Sequence, residues 1–286
     1  MEYGRSIPLS DIQKQIIIGT SLGDGCLTRS RHKVNTACLR FSHSTKQKDY
    51  CNYKYEFLKN ISNRPPQEGA YFNTYRKKIY GKISYESIFT KEFYDFYKTF
   101  YPRGKKIVPK NIADMLSPMT LAFWYMDDGS IETNNDRRKG KVYYVKNTIR
   151  IHTNGFTRKE SEILSKALFD RFGLVFKIKK VKCNGSYTIL YSKSRKNIEK
   201  FIQIIQPYLC SSMEYKIKTS YLKPMKKIYT KDRVFKLVKK LNINKRSDFS
   251  KYRKGKHLYN SVYRYFKSLT GIRKLIDSEV ISAWSP

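Results

Sequence analysis

Acidic residues are scarce in this chain. Its 286 residues hold 59 Lys and Arg against 23 Asp and Glu, a formal net charge of +36. Solubility does not require an excess of that size. It speaks against neutral sugars as substrates, which gain nothing from it. It favours a polyanion, whose phosphates basic side chains neutralise with release of counterions. Long apolar runs are missing too. The longest uncharged apolar-rich stretch, 115–126, has 12 residues, and a membrane span needs about 18. Residues 1–10 contain no apolar segment of the signal-peptide kind. Cysteine and histidine are few, five and four, and none falls in zinc-ligand spacing. Cys26, Cys38, Cys51, Cys183 and Cys210 therefore read as reduced thiols. The expectation is an intracellular protein, not secreted and not in a membrane.

Apolar residues are plentiful at 40%, with 16 Phe and 24 Tyr, so a sizeable core can form. The length permits one large domain or two ordinary ones. Helix starts are legible. Ser10 can cap, with Gln13 closing a capping box, and Ile12, Ile16, Ile17 and Leu22 continue an apolar pattern to Gly23-Asp24-Gly25. Ser117-Pro118 is a second start, for a helix running to Asp127-Asp128-Gly129. So GTSLGDG at 19–25 and LAFWYMDDG at 121–129 each end an apolar helix in Asp-Gly.

The segments after the two motifs match as well. In the first half a strand-like stretch at 39–44 precedes a helix at 48–59, two strands at 70–75 and 81–89, and a helix at 91–100. In the second a strand at 148–154 precedes a helix at 157–172, with Thr157 and Glu160 as a capping box. Strands at 175–181 and 185–191 and a helix at 196–208 come next. Asp24 to Arg40 is 16 residues and Asp128 to Arg150 is 22; Asp24 to Lys106 is 82 and Asp128 to Lys216 is 88. Both differences are six, which puts one net insertion in the polar segment 131–146. The chain thus reads as a duplication. Residues 228–286 fall outside it, with 15 basic and 4 acidic residues. Their pattern is weakly helix-turn-helix-like, with Phe235, Leu237, Val238 and Leu241 on one helix and a second helix from Ser247. A basic helical tail packed on the body is the equal alternative.

A single Asp-Gly is ordinary turn chemistry. Two of them, in a duplicated fold, can converge. If the motif helices pack about a pseudo-twofold axis, Gly19 and Gly23 let the backbones approach, and Asp24 and Asp128 meet at one end of the seam. Helix C-termini disfavour carboxylates, and a hard cation reverses that penalty. Mg²⁺ takes oxygen ligands, commonly one or two carboxylates with substrate phosphate, and such a site suits phosphodiester hydrolysis.

With those residues in view, GTSLGDG and LAFWYMDDG resemble the two motifs of the LAGLIDADG homing endonucleases, in their single-chain branch. The resemblance covers roughly 10–220. It implies an α+β fold of two pseudo-symmetric αββαββα repeats with saddle-shaped antiparallel sheets, followed by the basic C-terminal extension. The half-domains would be 1–110 and 111–227, with 228–286 outside. It also implies that Asp24 and Asp128 bind metal and catalyse, with backbone carbonyls of Gly23 and Asp127 as further ligands. Lys106 and Lys216 resemble the family's basic active-site residues, near the scissile phosphates. Register favours Asp128 over Asp127, because Asp127 occupies the position of Gly23. Phe123 stands where the first motif has Gly19, so the seam must be asymmetric. Ser42 and Asn154 fall near a polar position associated with water in the family.

Base readout is expected from alternating strand residues: Arg40, Ser42 and Ser44 in the first half, and Arg150, His152 and Asn154 in the second. The inserted segment 132–141 reads as a hairpin tip that brings Arg137, Arg138 and Lys139 near phosphates. The function expected is a monomeric, Mg²⁺-dependent double-strand DNA endonuclease with a long asymmetric site, Mn²⁺ substituting. The rivals are an intron RNA maturase and a non-catalytic DNA-binding regulator on the same scaffold. An intein setting is less favoured, since the chain opens with Met and lacks a terminal Cys/Asn splicing pattern.

Overall fold

Each motif helix starts on a satisfied cap. In α1 (Asp11–Leu22) the Ser10 hydroxyl accepts from Gln13 N, and the Gln13 side chain accepts from Ser10 N. In α5 (Pro118–Asp128) Ser117 accepts from Thr120 N, and Pro118 fills the first helical position. The computed structural model describes residues 6–138, 141–182, 186–220, 231–251 and 255–282. Two compact units divide the chain, 1–221 and 222–286.

In the first unit α1 leads into β1 (Cys26–Arg29) and β2 (Ala37–Ser44), then α2 (Lys48–Leu58), β3 (Gln67–Asn73), β4 (Lys78–Glu86) and α3 (Lys91–Phe100). A short α4 (Ile112–Met115) joins this half to the next. There α5 is followed by β5 (Gly129–Arg138), β6 (Lys141–His152), α6 (Arg158–Phe172), β7 (Lys177–Lys182), β8 (Ser186–Ser192) and α7 (Arg195–Ile205). The two sheets are antiparallel and ordered alike, β1-β2-β4-β3 and β5-β6-β8-β7. This is the twofold αββαββα arrangement that the family resemblance implies; the residue pattern by itself marks only one strand, β2 or β6, between each motif helix and the next. The six-residue insertion lengthens the β5–β6 hairpin, with a register shift at Glu132/Thr133.

Most element boundaries agree with the sequence reading. The strands expected at 70–75 and 81–89 begin and end about three residues earlier, as β3 and β4. The strand expected to reach Asn154 stops at His152, and Asn154 is exposed in the turn that precedes α6.

The seam between halves is the core. From Thr120 to Met126 every residue of α5 is buried, as is α1 from Ile16 to Leu22. Gly19 makes the approach possible: a Cβ there would lie 2.5 Å from Thr120 O and 2.9 Å from Phe123 Cβ. The asymmetry expected from Phe123 is thus real, a small residue on one helix facing a large one on the other. Burying side chains of this size contributes about 1.5–3 kcal/mol each.

The second unit has a core of its own, built from Val234, Val238, Ile243, Phe249, Leu258, Val262, Ile272 and Ile276. It comprises α8 (Lys231–Lys240), α9 (Gly255–Phe266) and α10 (Leu269–Ser282). The second helix expected from Ser247 is instead a short 3₁₀ turn, Arg246–Lys251, with α9 beginning later. Asp248 explains the turn: its Oδ2 accepts from Asn244 N and Lys245 N at 2.9 and 3.0 Å.

Candidate functional site

The C-terminal ends of α1 and α5 bring three acids together. Asp24 follows the end of α1 and is about half exposed at its side chain. Burial first, then the charge of Asp127, raises its carboxyl above the usual range. Asp128 closes α5 and is pushed up to about 7, by burial first and then by Asp24 and Asp127. The nearby ammonium groups of Lys106 and Lys216 oppose these shifts and do not cancel them.

Asp127 is different. Its side chain is fully buried and points into the first half. Oδ1 accepts from Lys54 Nζ and Tyr50 OH, both at 2.7 Å, and Oδ2 accepts from the backbone N of Asp24 at 3.2 Å. Lys54 is also fully buried, with its ammonium 4.5 Å from the Phe41 ring centre and 4.6 Å from that of Tyr50. His43 Nδ1 is 3.5 Å from Asp24 Oδ2. Burial, then the Lys54 charge, lowers the His43 pKa to about 4, so its ring is neutral at pH 7.

Lys106 and Lys216 close the helix ends. Lys106 Nζ donates to Gly23 O at 2.8 Å and Gly25 O at 3.1 Å; Lys216 Nζ donates to Met126 O at 2.6 Å and Asp127 O at 3.2 Å. Each half thus supplies a lysine to the end of its own motif helix, where cations are favoured. Burial lowers the pKa of both. The carbonyls of Gly23 and Asp127, expected as metal ligands, accept from these ammonium groups.

The donor set suits a hard divalent cation. Asp24 and Asp128 offer carboxylate oxygens, and burial first and then the neighbouring carboxylates raise their pKa values, both of which a bound cation would offset. Asp24, His43 and Asp127 also have ligand atoms within 4.8 Å of one another. That grouping fits a metal less well, because the Lys54 ammonium already compensates the Asp127 carboxylate.

Of the residues expected to read DNA, Arg40, Ser42 and Ser44 lie on β2 and Arg150 and His152 on β6, while Asn154 lies in the turn beyond it. Arg40 pairs with Glu86 at 2.6 Å, both side chains 43% exposed, and Arg150 pairs with Glu132. An exposed pair such as Arg40–Glu86 is worth about 0–1 kcal/mol, so another partner can displace that glutamate; the Arg150–Glu132 pair is more buried. Ser42 is exposed, and His152 Nε2 lies 3.1 Å from Ser130 Oγ. A cavity of about 310 Å³ connects Asp24 with Arg40, Ser42, Arg64 and Glu86. A larger one, about 690 Å³ and edged by Lys177, Lys196 and Lys200, includes none of the acids. Arg137 and Arg138 close β5 in the predicted hairpin; Lys139 lies outside the described residues. Sequence reasoning missed His43, Tyr50 and Lys54. Tyr50 and Lys54 are four apart on α2, and a lysine at an otherwise buried helix position was the available signal.

Comparison with known proteins agrees with the fold. Residues 14–201 match the model of the LAGLIDADG DNA endonuclease family. The probable intron-encoded endonuclease 1 of Wickerhamomyces canadensis is 30% identical over 227 residues, covering 73% of this chain and 85% of that protein. The cytochrome b mRNA maturase bI2 of Debaryomyces hansenii is 25% identical over 220 residues, covering 73% and 75%. Similarity to Protein RecA of Mycolicibacterium flavescens, 29% over 212 residues, spans 73% of this chain and only about half, 47%, of that relative. Among solved structures, the homing endonuclease I-WcaI bound to its DNA recognition sequence superposes with a TM-score of 0.65 at 25% identity. It covers 76% of this chain and 90% of that one. Among the described residues no helix is long and apolar enough to cross a membrane.

Proposed function

The chain belongs to the LAGLIDADG DNA endonuclease family, and from that premise we propose that it is a monomeric, site-specific endonuclease that cuts both strands of duplex DNA with Mg²⁺ or Mn²⁺. The observation that carries this is the convergence of Asp24 and Asp128, one from each half, at the end of the α1–α5 seam. Pseudo-symmetry within one chain suits a long asymmetric site. Residues 1–110 and 111–227 would each address one half of it, with 228–286 an added basic module.

Asp24 and Asp128 are the residues that would hold the ion. When bound, a divalent ion supplies Lewis-acid polarisation of the phosphate and charge compensation for the leaving 3′ oxygen. The chain's own groups do the rest. Lys106 and Lys216 fix the two helix ends and add positive charge close to the acids. Arg40 and Arg150 exchange their glutamate partners for bases or phosphates, with Ser42, His152 and Asn154 beside them and Arg137 to Lys139 on the backbone.

The I-WcaI complex and the Wickerhamomyces endonuclease support this reading. The Debaryomyces maturase favours intron RNA as the second reading. A randomised duplex library incubated with the protein and Mg²⁺ tests both. Selective double-strand cleavage of one site is expected. Binding of duplex without any cleavage overturns the nuclease reading, and tight binding of structured intron RNA in its place favours the maturase.

A further inference from the structure

The two acids are held by different means. Asp128 is the last residue of α5, and Gly129 N still donates to Tyr125 O beyond it, so helical geometry carries Asp128. Helix α1 stops at Leu22, two residues before Asp24. Around it Gly23 N donates to Gly19 O and Gly25 N to Thr20 O. The Asp24 N–H goes instead to a side chain from the other motif, Asp127 Oδ2.

That side chain is itself braced. Lys54 and Tyr50 hold its other oxygen, and Gly23 leaves it room: a Cβ on Gly23 would lie 2.4 Å from Asp127 Cβ. Among the described residues no such brace exists across the pseudo-twofold axis. The motif shift, 128 − 24 = 104, places Gly23 opposite Asp127. The sheet shift, 150 − 40 = 110, places Thr153, Glu160 and Leu164 opposite His43, Tyr50 and Lys54. Leu164 is a core residue, Glu160 caps its own helix, and Thr153 bonds to Thr188. The three polar partners of the first half thus have no functional counterpart at the matching positions of the second.

We infer that Lys54 and Tyr50 are positioning residues that act through Asp127 to orient Asp24 alone, so that the two strand cuts depend on different supports. A buried carboxylate deprived of its cation must move or be neutralised. Displacement of Asp127 releases the Asp24 amide and shifts that carboxylate, while Asp128 keeps its helix. Each acid lies nearer one scissile phosphate in a pseudo-twofold site, so loss of the brace slows one strand first. The strand effect rests on the nuclease reading; the bracing does not.

Two measurements on the full chain separate these levels. The first is amide hydrogen exchange by NMR without metal or DNA. In Lys54→Met, exchange at the Asp24 amide should rise about 10-fold or more, with Gly129 unchanged. Tyr50→Phe, which keeps the core volume, should move Asp24 in the same direction by less. The double variant Lys54→Met/Asp127→Asn retains an acceptor that needs no cation and should recover protection. Equal acceleration at Asp24 and Gly129, or no change at either, overturns the inference. The second is cleavage of a duplex labelled separately on each strand. The ratio of the two strand rates should change about 10- to 100-fold in Lys54→Met, as for a misplaced reacting group. A ratio equal to that of the unmodified protein, with both rates reduced alike, overturns it. If the unmodified protein cuts nothing, the nuclease reading fails and the exchange result still decides the bracing.

Discussion

The first half of the seam keeps a buried ion pair where the second keeps a leucine. Duplication supplied the same scaffold twice, and the halves then solved the same problem differently. Around Asp24 the chain uses charge: Lys54, Asp127 and a neutral His43 under aromatic cover. Around Asp128 it uses helix geometry alone among the described residues. A polar solution is directional, and it is more vulnerable to loss of one partner.

Asp24→Asn and Asp128→Asn should have the largest effect. Each should reduce double-strand cleavage by about 100-fold or more, by comparison with loss of a single stabilising group, in a gel assay on the selected site. Persistent cleavage in both variants would sink the assignment of these acids. Next, Lys54→Leu alone should cost about 3–5 kcal/mol in denaturant unfolding, because it strands a buried carboxylate. Lys54→Leu/Asp127→Gly, which copies the second half into the first, should recover most of that cost. Failure of the double variant to recover would show that the two residues act separately.

Smaller is the effect of crowding the seam. Gly19→Ala places a methyl 2.5 Å from Thr120 O and should cost about 1–3 kcal/mol, measured by the urea midpoint. Ala122→Gly, on the partner helix, relieves no such clash and should not rescue it. Smallest is a control outside both halves. Asp248 is held down to about 2 by the backbone amides of Lys245 and Asn244. Its folded pKa lies below the usual 3.8, so its stabilisation is present above about pH 4 and is lost as pH falls towards about 2. Hydrogen-exchange protection in α8 should decline across that window relative to Asp248→Asn, whose decline should be shallower. A parallel decline in both would remove Asp248 as the cause.

Much of the fold was legible in advance because its signals are local. Ser10 with Gln13, Ser117 with Pro118, and Thr157 with Glu160 announce helix starts through local cap bonds. The duplication was legible because two offsets changed by the same six residues. Strand ends were less so: β3 and β4 shift by about three residues, and β6 stops before Asn154, because pairing partners and not propensity end a strand.

The site divides in the same way. Sequence by itself determined that Asp24 and Asp128 are counterparts, that Asp127 answers to Gly23, and that a lysine follows each half. Register alone carries those relations. Only the tertiary structure decided what Asp127 does. Its carboxylate is buried at the helix end, where it needs a cation close by, and the chain supplies one from α2, 73 residues away in sequence. Long-range compensation of a buried charge leaves no periodic mark on a sequence, since the partner has only to arrive at the right point in space.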